Sequence, residues 1–209
     1  MDKEKFIKNT KEFLKETLDT LVFVIVAVIL IRFLIGELRW IPSGSMHPTL
    51  IEKDRLFVEK VTKPFRAPER GDVIVFYPPE VTLKHDVLST LARLTGIFCR
   101  DIAYIKRIIG MPGDKFEIKK EKDGNFYVFI NDIPLDEPYI LSKTDWTPCS
   151  DAMYCGPFVL GENEYFMMGD NRGNSQDSRF WGTLKKDRII GRALFTFWPL
   201  NRIEMLNKY

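Results

Sequence analysis

The sequence predicts a mainly β, antiparallel, barrel-like domain behind one N-terminal membrane-spanning helix. Three observations carry that expectation. An apolar run near the N-terminus has its lysines on one side, six short β-type segments follow between turn residues, and about 170 residues after the run suit one good-sized domain.

The apolar run 21–31 is unbroken and resumes after Arg32 as Phe33-Leu34-Ile35. A spanning helix needs about 20 residues. Thr17, Leu18 and Thr20 extend the run inward, and Arg32 can snorkel to the outer interface. A buried core helix fits poorly, because the run is apolar on all sides. A removable export signal fits the length, but Gly36-Glu37-Leu38-Arg39-Trp40 offers no small-x-small cleavage site. Ser43-Gly44-Ser45 does offer one, though far from the run and beside Pro42. The expected assignment is a permanent anchor at 20–36.

Lys3, Lys5, Lys8, Lys11 and Lys15 precede the span, while Arg32 and Arg39 sit at its far end. Positive residues stay on the cytoplasmic side. Residues 1–19 are therefore expected to be cytoplasmic, with Phe6, Phe13, Leu14 and Thr17 giving a helical spacing that could lie along the membrane. Residues 37–209 are expected outside, with a smaller lobe at about 120–160.

The strand candidates are 56–58, 73–76, 116–118, 127–130, 165–167 and 193–197. Asp123-Gly124 has the chemistry of a hairpin turn, and Gly71-Asp72, Pro78-Pro79, Pro112-Gly113-Asp114 and Gly169-Asp170 punctuate the rest. Residues 87–98 depart from the pattern. Val87, Leu88, Leu91, Leu94 and Phe98 mark an amphipathic helix, either a core helix capping the sheet or a segment resting on the bilayer, the first slightly favoured.

Composition excludes several classes. The formal charge of +2 is too small to argue for nucleic acid or an acidic substrate. No Cys/His set has metal-ligand spacing, so no metal site is expected. Cys149 and Cys155 bracket a short loop in which a disulfide would suit an extracytoplasmic domain, leaving Cys99 buried or membrane-facing.

Two segments suggest chemistry. Ser45 lies in the Gly/Pro-framed stretch Pro42-Ser43-Gly44-Ser45-Met46-His47-Pro48, and Lys106 lies in the otherwise apolar Tyr104-Ile105-Lys106-Arg107. Ten residues from Ile35 to Ser45, at ~3.3–3.6 Å each, keep the serine within about 35 Å of the membrane face. A serine needs a base to become a nucleophile. A lysine with a reference pKa near 10.4 is neutral in roughly one molecule in a few thousand at pH 7, so it must be desolvated to serve as that base. On a strand, Lys106 shares its face with Tyr104 and Ile108, while Arg107 points the other way. For an arbitrary serine and lysine, a surface lysine and a turn serine remain the simpler account. A Ser-His-Asp triad has only His47 and His85 to draw on, and His47 is too near Ser45 in sequence to serve it well.

Four ordered segments resemble the boxes of bacterial type I signal peptidases, the leader peptidases with a Ser-Lys dyad. They are Ser43-Gly44-Ser45-Met46-His47-Pro48-Thr49-Leu50, Gly71-Asp72-Val73-Ile74-Val75-Phe76, Tyr104-Ile105-Lys106-Arg107 through Gly110-Met111-Pro112-Gly113-Asp114, and Gly169-Asp170-Asn171-Arg172-Gly173-Asn174-Ser175-Gln176-Asp177-Ser178-Arg179-Phe180-Trp181-Gly182. Any one alone is a weak signal; four in order are strong. The resemblance implies the signal-peptidase fold, with Ser45 as nucleophile and Lys106 as general base. It implies an oxyanion hole from the Ser45 N–H and the Ser43 hydroxyl. Ser175 would orient Lys106, and Asp177 with Arg179, and Asp170 with Arg107, would be supporting ion pairs. For Asp170, Asn171, Arg172 and Asn174 a plain polar turn serves as well as a direct catalytic role. Met46 is expected in the substrate pocket, though plain packing would serve as well.

The implied partners are signal-peptide-bearing preproteins and the lipid bilayer, with no nucleic acid, no cofactor, and a monomeric chain in the bacterial cytoplasmic membrane. Gly173 departs from the family, standing where an acidic residue is frequent, and the insertion 82–100 has no evident counterpart. The alternative functions are a self-cleaving regulator or a peptidase dedicated to one partner, within the same Ser-Lys chemistry, and an anchored β-domain that only binds or scaffolds secreted proteins.

Overall fold

The computed structural model of the chain describes residues 3–62, 65–84, 86–95, 101–146, 149 and 153–206. Helix α1 (Lys3–Leu34) is unbroken, where the sequence allowed for a leading segment that turns before entering the membrane. Its portion Asn9–Leu34 is long and apolar enough to cross a bilayer, about 39 Å at 1.5 Å per residue. Leu21, Phe23, Ile25 and Leu34 all stand roughly half exposed or more. A helix so apolar and so little covered is suited to lipid. Thr17 and Thr20 return their hydroxyls to the carbonyls of Phe13 and Glu16, so they bring no unpaired donor to the run.

Strand β1 (Gly36–Trp40) starts at once, in a stretch expected to be linker. It forms because β2 (Arg55–Glu59) offers it an edge, paired antiparallel from Gly36↔Glu59 to Trp40↔Arg55. A side chain at Gly36 would collide with the Val58 carbonyl and the Phe57 ring. Glu37, buried, gathers Arg32, Arg39 and Lys60 and so rivets the end of α1 to the sheet.

The remaining elements are β3 (Val73–Phe76), α2 (Val87–Thr95), β4 (Tyr104–Gly110), β5 (Lys115–Lys120), β6 (Phe126–Ile130), β7 (Ile133–Pro134), β8 (Phe158–Val159), β9 (Glu164–Met168), α3 (Ser178–Trp181), β10 (Leu184–Lys185), β11 (Ile189–Trp198) and β12 (Glu204–Met205). Eight strands make one antiparallel sheet in the order β1-β2-β11-β3-β4-β9-β10, with β12 on β11, and four make a second in the order β7-β6-β5-β8. The architecture is mainly β with one N-terminal apolar helix, a half-barrel that stays open between β1 and β10. Every strand expected from sequence lies inside an observed one, and β5 and β6 are joined at Asp123-Gly124 with Gly124 at φ +84°.

Three apolar clusters hold the sheets. One lies under the serine loop (Met46, Leu50, Leu56, Val58, Val73), and another around Phe116 and Phe166, whose ring centroids are 4.0 Å apart. The third holds Ile74, Phe76, Ile108 and Met167. Strand β4 serves all three, with Ile105 packed against the first, Ile109 in the second and Ile108 in the third.

Helix α2 is not the core cap that its periodicity favoured. Val87 and Leu88 are each 77% exposed and Leu91 50%, while the helix packs beside α1. Phe98, Cys99 and His85 lie outside the described residues. Cys149 and Cys155 are joined as a disulfide.

Candidate active site

The turn that carries Ser45 is held from below. After β1, Ile41 is buried and exchanges backbone hydrogen bonds with Lys53 and Asp54 at 2.9 Å. Gly44–Met46 then form one 3-10 turn, with Met46 and Leu50 sunk into the first core cluster. Met46 is fully buried and does not line the cleft, contrary to the pocket role expected for it. Its side chain plugs the turn into the core instead.

Lys106 comes from the middle of the sheet. Strand β4 pairs with β3 on one side, with Ile74 opposite Lys106, and with β9 on the other from Arg107 onward. The Lys106 side chain is buried, and its Nζ donates to Ser45 Oγ at 2.7 Å and to the Ile105 carbonyl at 3.0 Å. Burial drives its pKa down from 10.5 to about 8; Asp177 and Asp170 pull the other way, and Arg179 adds to the fall. At pH 7 roughly a tenth of the chains then carry a neutral amine, against a few in ten thousand for a free lysine. The contact and the lowered pKa together make Lys106 able to take the serine's proton.

The segment after β9 closes over this pair. Asn171 donates from its backbone to the Ser45 carbonyl at 3.2 Å, and from Nδ2 to the Gly44 carbonyl at 3.1 Å. Gly169 makes that approach possible, since a Cβ there would collide with the Ser45 carbonyl and Ser175 Oγ. Arg107 holds Asp170 with two bonds, Nε to Oδ1 at 2.9 Å and Nη2 to Oδ2 at 2.7 Å, both side chains fully buried. Asp170 also accepts from Thr49, four residues past Ser45. Arg179 holds Asp177 through Nε at 2.8 Å and Nη2 at 2.9 Å, and Asp177 Oδ2 accepts the Gly169 N–H at 3.1 Å.

Two implied positions behave differently. Among the described residues Ser175 Oγ, itself buried, has no hydrogen-bond partner, so the bond to Lys106 that the resemblance implies is not seen. The amine spends its second donor on the Ile105 carbonyl. Ser43 is exposed on the rim of the cleft, with extended backbone. Arg172, for which a polar turn was an adequate account, is instead fully buried. It pairs with Glu137 through both terminal nitrogens and donates from Nε to the Gly169 carbonyl at 3.0 Å. Sequence reasoning missed Glu137, Thr49 and Tyr139, whose ring lies 4.0 Å from the Arg107 guanidinium carbon. Burial raises the Tyr139 hydroxyl pKa, with the Glu137 charge adding to it.

The cleft above the pair has a volume of about 500 Å³ and is lined by Pro42, Ser43, Ser45, residues 102–106, residues 173–176 and Phe180. Tyr104–Lys106 form its wall with a strand edge to which β9 does not pair. Among the described residues no group of His, Cys, Asp and Glu could hold a metal ion.

Residues 14–198 match the family model described as signal peptidase, peptidase S26. The "Probable signal peptidase I-1" of a Synechocystis species is 40% identical over 204 residues, spanning 97% of this chain and 92% of its own. "Signal peptidase I S" of Bacillus subtilis is 33% identical over 206 residues, spanning 95% of this chain and 97% of its own. A crystal structure of a signal peptidase I from Enterococcus faecalis aligns with 61% of this chain and 97% of its own, at 26% identity and a TM-score of 0.38.

Proposed function

The chain belongs to the signal peptidase family, peptidase S26, and from that premise we propose that it is a membrane-anchored serine endopeptidase. Its substrates are exported precursor proteins, cut after small-x-small sites, with Ser45 as nucleophile and neutral Lys106 as general base. The observation that carries this reading is the 2.7 Å contact between a buried amine and a serine hydroxyl at the floor of a cleft. A domain that only bound its partners would have no use for a lysine buried at that cost.

Ser45 Oγ attacks the scissile carbonyl as its proton passes to Lys106 Nζ. Negative charge develops on the carbonyl oxygen, for which the proposed donors are the Ser45 N–H and the hydroxyl of Ser43, a residue that lines the cleft. Collapse expels the new amino terminus, which takes the proton from Lys106, and leaves an acyl group on Ser45. Water, deprotonated by Lys106, then releases the acyl group. Ser175, whose buried hydroxyl has no hydrogen-bond partner among the described residues, is the group proposed to steady the amine as it turns. The peptide adds as a strand along Tyr104–Lys106, which would further dry the lysine.

The proposed topology places residues 1–19 in the cytoplasm, the span at 20–36, and residues 37–209 outside, acting as a monomer. The Cys149–Cys155 disulfide supports an oxidising compartment for that domain, and the five lysines before the span support the orientation.

The test is to incubate the detergent-solubilised protein with a secretory precursor and map the cut by mass spectrometry, beside Ser45→Ala. Cleavage after small-x-small, absent in the variant, is expected; a cut that persists in Ser45→Ala overturns the assignment. Gly169→Ala is expected to lower kcat by about a hundredfold, because a displacement of about 1 Å at the reacting atoms costs that much. Its circular dichroism should match the parent.

A further inference from the structure

We propose that α2 is a second membrane contact, an interfacial helix seated in the leaflet at the C-terminal end of α1, with the lipid surface as its occupant. The helix is amphipathic the wrong way round for water. Val87, Leu88 and Leu91, at i, i+1 and i+4, form one strip and stand 77%, 77% and 50% exposed. Ser89, Ala92 and Arg93 are the half-covered ones, and of the polar residues only Thr90 is exposed among the described side chains of the helix. A surface helix in water turns its apolar strip inward; the opposite orientation belongs where the outside is apolar.

Its charges are already engaged. Arg93 donates to Asp101 at 3.1 Å and to the Lys84 carbonyl, and Asp86 accepts the Ser89 N–H at 3.3 Å at the helix start. The helix itself carries no acidic residue to repel a lipid surface.

Position supplies the occupant. Helix α2 packs against α1, the one described helix able to cross a membrane. In the outer half of α1, the apolar positions that lose exposure are Ala27 and Ile29. Ile29 lies five residues before Leu34, about 7.5 Å along the helix. Interfacial helices sit about 5–10 Å into the headgroup boundary. The exposed strip is thus continuous with a surface that lipid must already cover. From α2 the chain returns to the sheet at Ile102, itself 60% exposed, and enters the cleft wall that carries Lys106. Seating α2 in the leaflet therefore fixes the height of the cleft above the bilayer.

This inference rests on the reading of α1 as a membrane anchor, and its consequence for substrate rests on the peptidase reading. The experiment separates the two. In the full chain carrying Cys99→Ser, Leu88→Cys is labelled with an environment-sensitive fluorophore and reconstituted into phosphatidylcholine–phosphatidylglycerol vesicles. Quenching by lipids bearing a nitroxide at a shallow acyl position, at least twofold above quenching by aqueous iodide, is expected, and Ser45→Ala should leave it unchanged. Dominant iodide quenching overturns the proposal, as does shielding that grows with protein density, which would mean a second copy covers the strip. In parallel, a Val87→Ser, Leu88→Ser, Leu91→Ser chain should lose about tenfold in cleavage of a membrane-inserted precursor and nothing against a short soluble peptide. Equal loss on both substrates, or on neither, overturns the link between α2 and the cleft.

Discussion

Lys106→Met is expected to abolish turnover, by at least about a thousandfold, while making the protein more stable at neutral pH. The loss of activity follows from removing the base, since a positioned base supplies roughly 10²–10⁴ of rate. The gain follows from the sign of the lysine's pKa change. Its folded value, about 8, lies below the ordinary lysine value of 10.5, so the folded chain resists the proton that the unfolded chain accepts. Stability contributed by this site is full above pH 10.5 and falls as pH drops towards 8; below 8 the whole penalty is felt. That penalty is on the order of 3 kcal/mol, offset by about 1 kcal/mol for the lost bond to Ser45. Thermal melts of Ser45→Ala and Ser45→Ala/Lys106→Met, which both lack that bond, should differ at pH 7 by roughly 6–12 °C in favour of the second, and the gap should close towards pH 10.5. The parent's kcat/KM should fall tenfold per pH unit below about 8. A parent profile flat through that range, or full activity in Lys106→Met, would remove the amine from the mechanism.

Asp170→Ala is expected to be the most destabilising single change near the site. It leaves the Arg107 guanidinium, fully buried, without its carboxylate. Breaking one partner of such a pair costs about 3–5 kcal/mol, read as a lower urea midpoint. Activity should fall further than stability alone explains, because Asp170 also holds Thr49 and so the loop of Ser45. The double variant Arg107→Met/Asp170→Leu should recover much of the stability, since an apolar pair of similar volume avoids burying the charges. If the double variant is less stable than either single one, the pair is contributing more than its own neutralisation.

The strand centres were legible because β-branched and aromatic residues alternate between turn residues there. Strand β1 was not, since Gly36-Glu37-Leu38-Arg39-Trp40 becomes a strand only when β2 is present beside it. The same holds for the two-residue pairings at Ile133–Pro134 and Leu184–Lys185, which local sequence cannot specify. Ser45 and Lys106 could be picked out as ordered boxes, and their contact is a property of the fold. Glu137, in a run that reads as a loop, gave no sign of the buried Arg172 it serves. Helix α2 shows the limit most clearly. Its period was readable, but a period defines a face and says nothing of what that face meets.

The clamp of Asn171 on Gly44 and Ser45 has a consequence for biogenesis. Ser45 and Lys106, the proposed nucleophile and base, both precede Asn171 in the chain, so the residue that locks the serine turn is made last of the three. Under the proposed topology and mechanism, a half-exported molecule would carry both groups without the geometry that arms them.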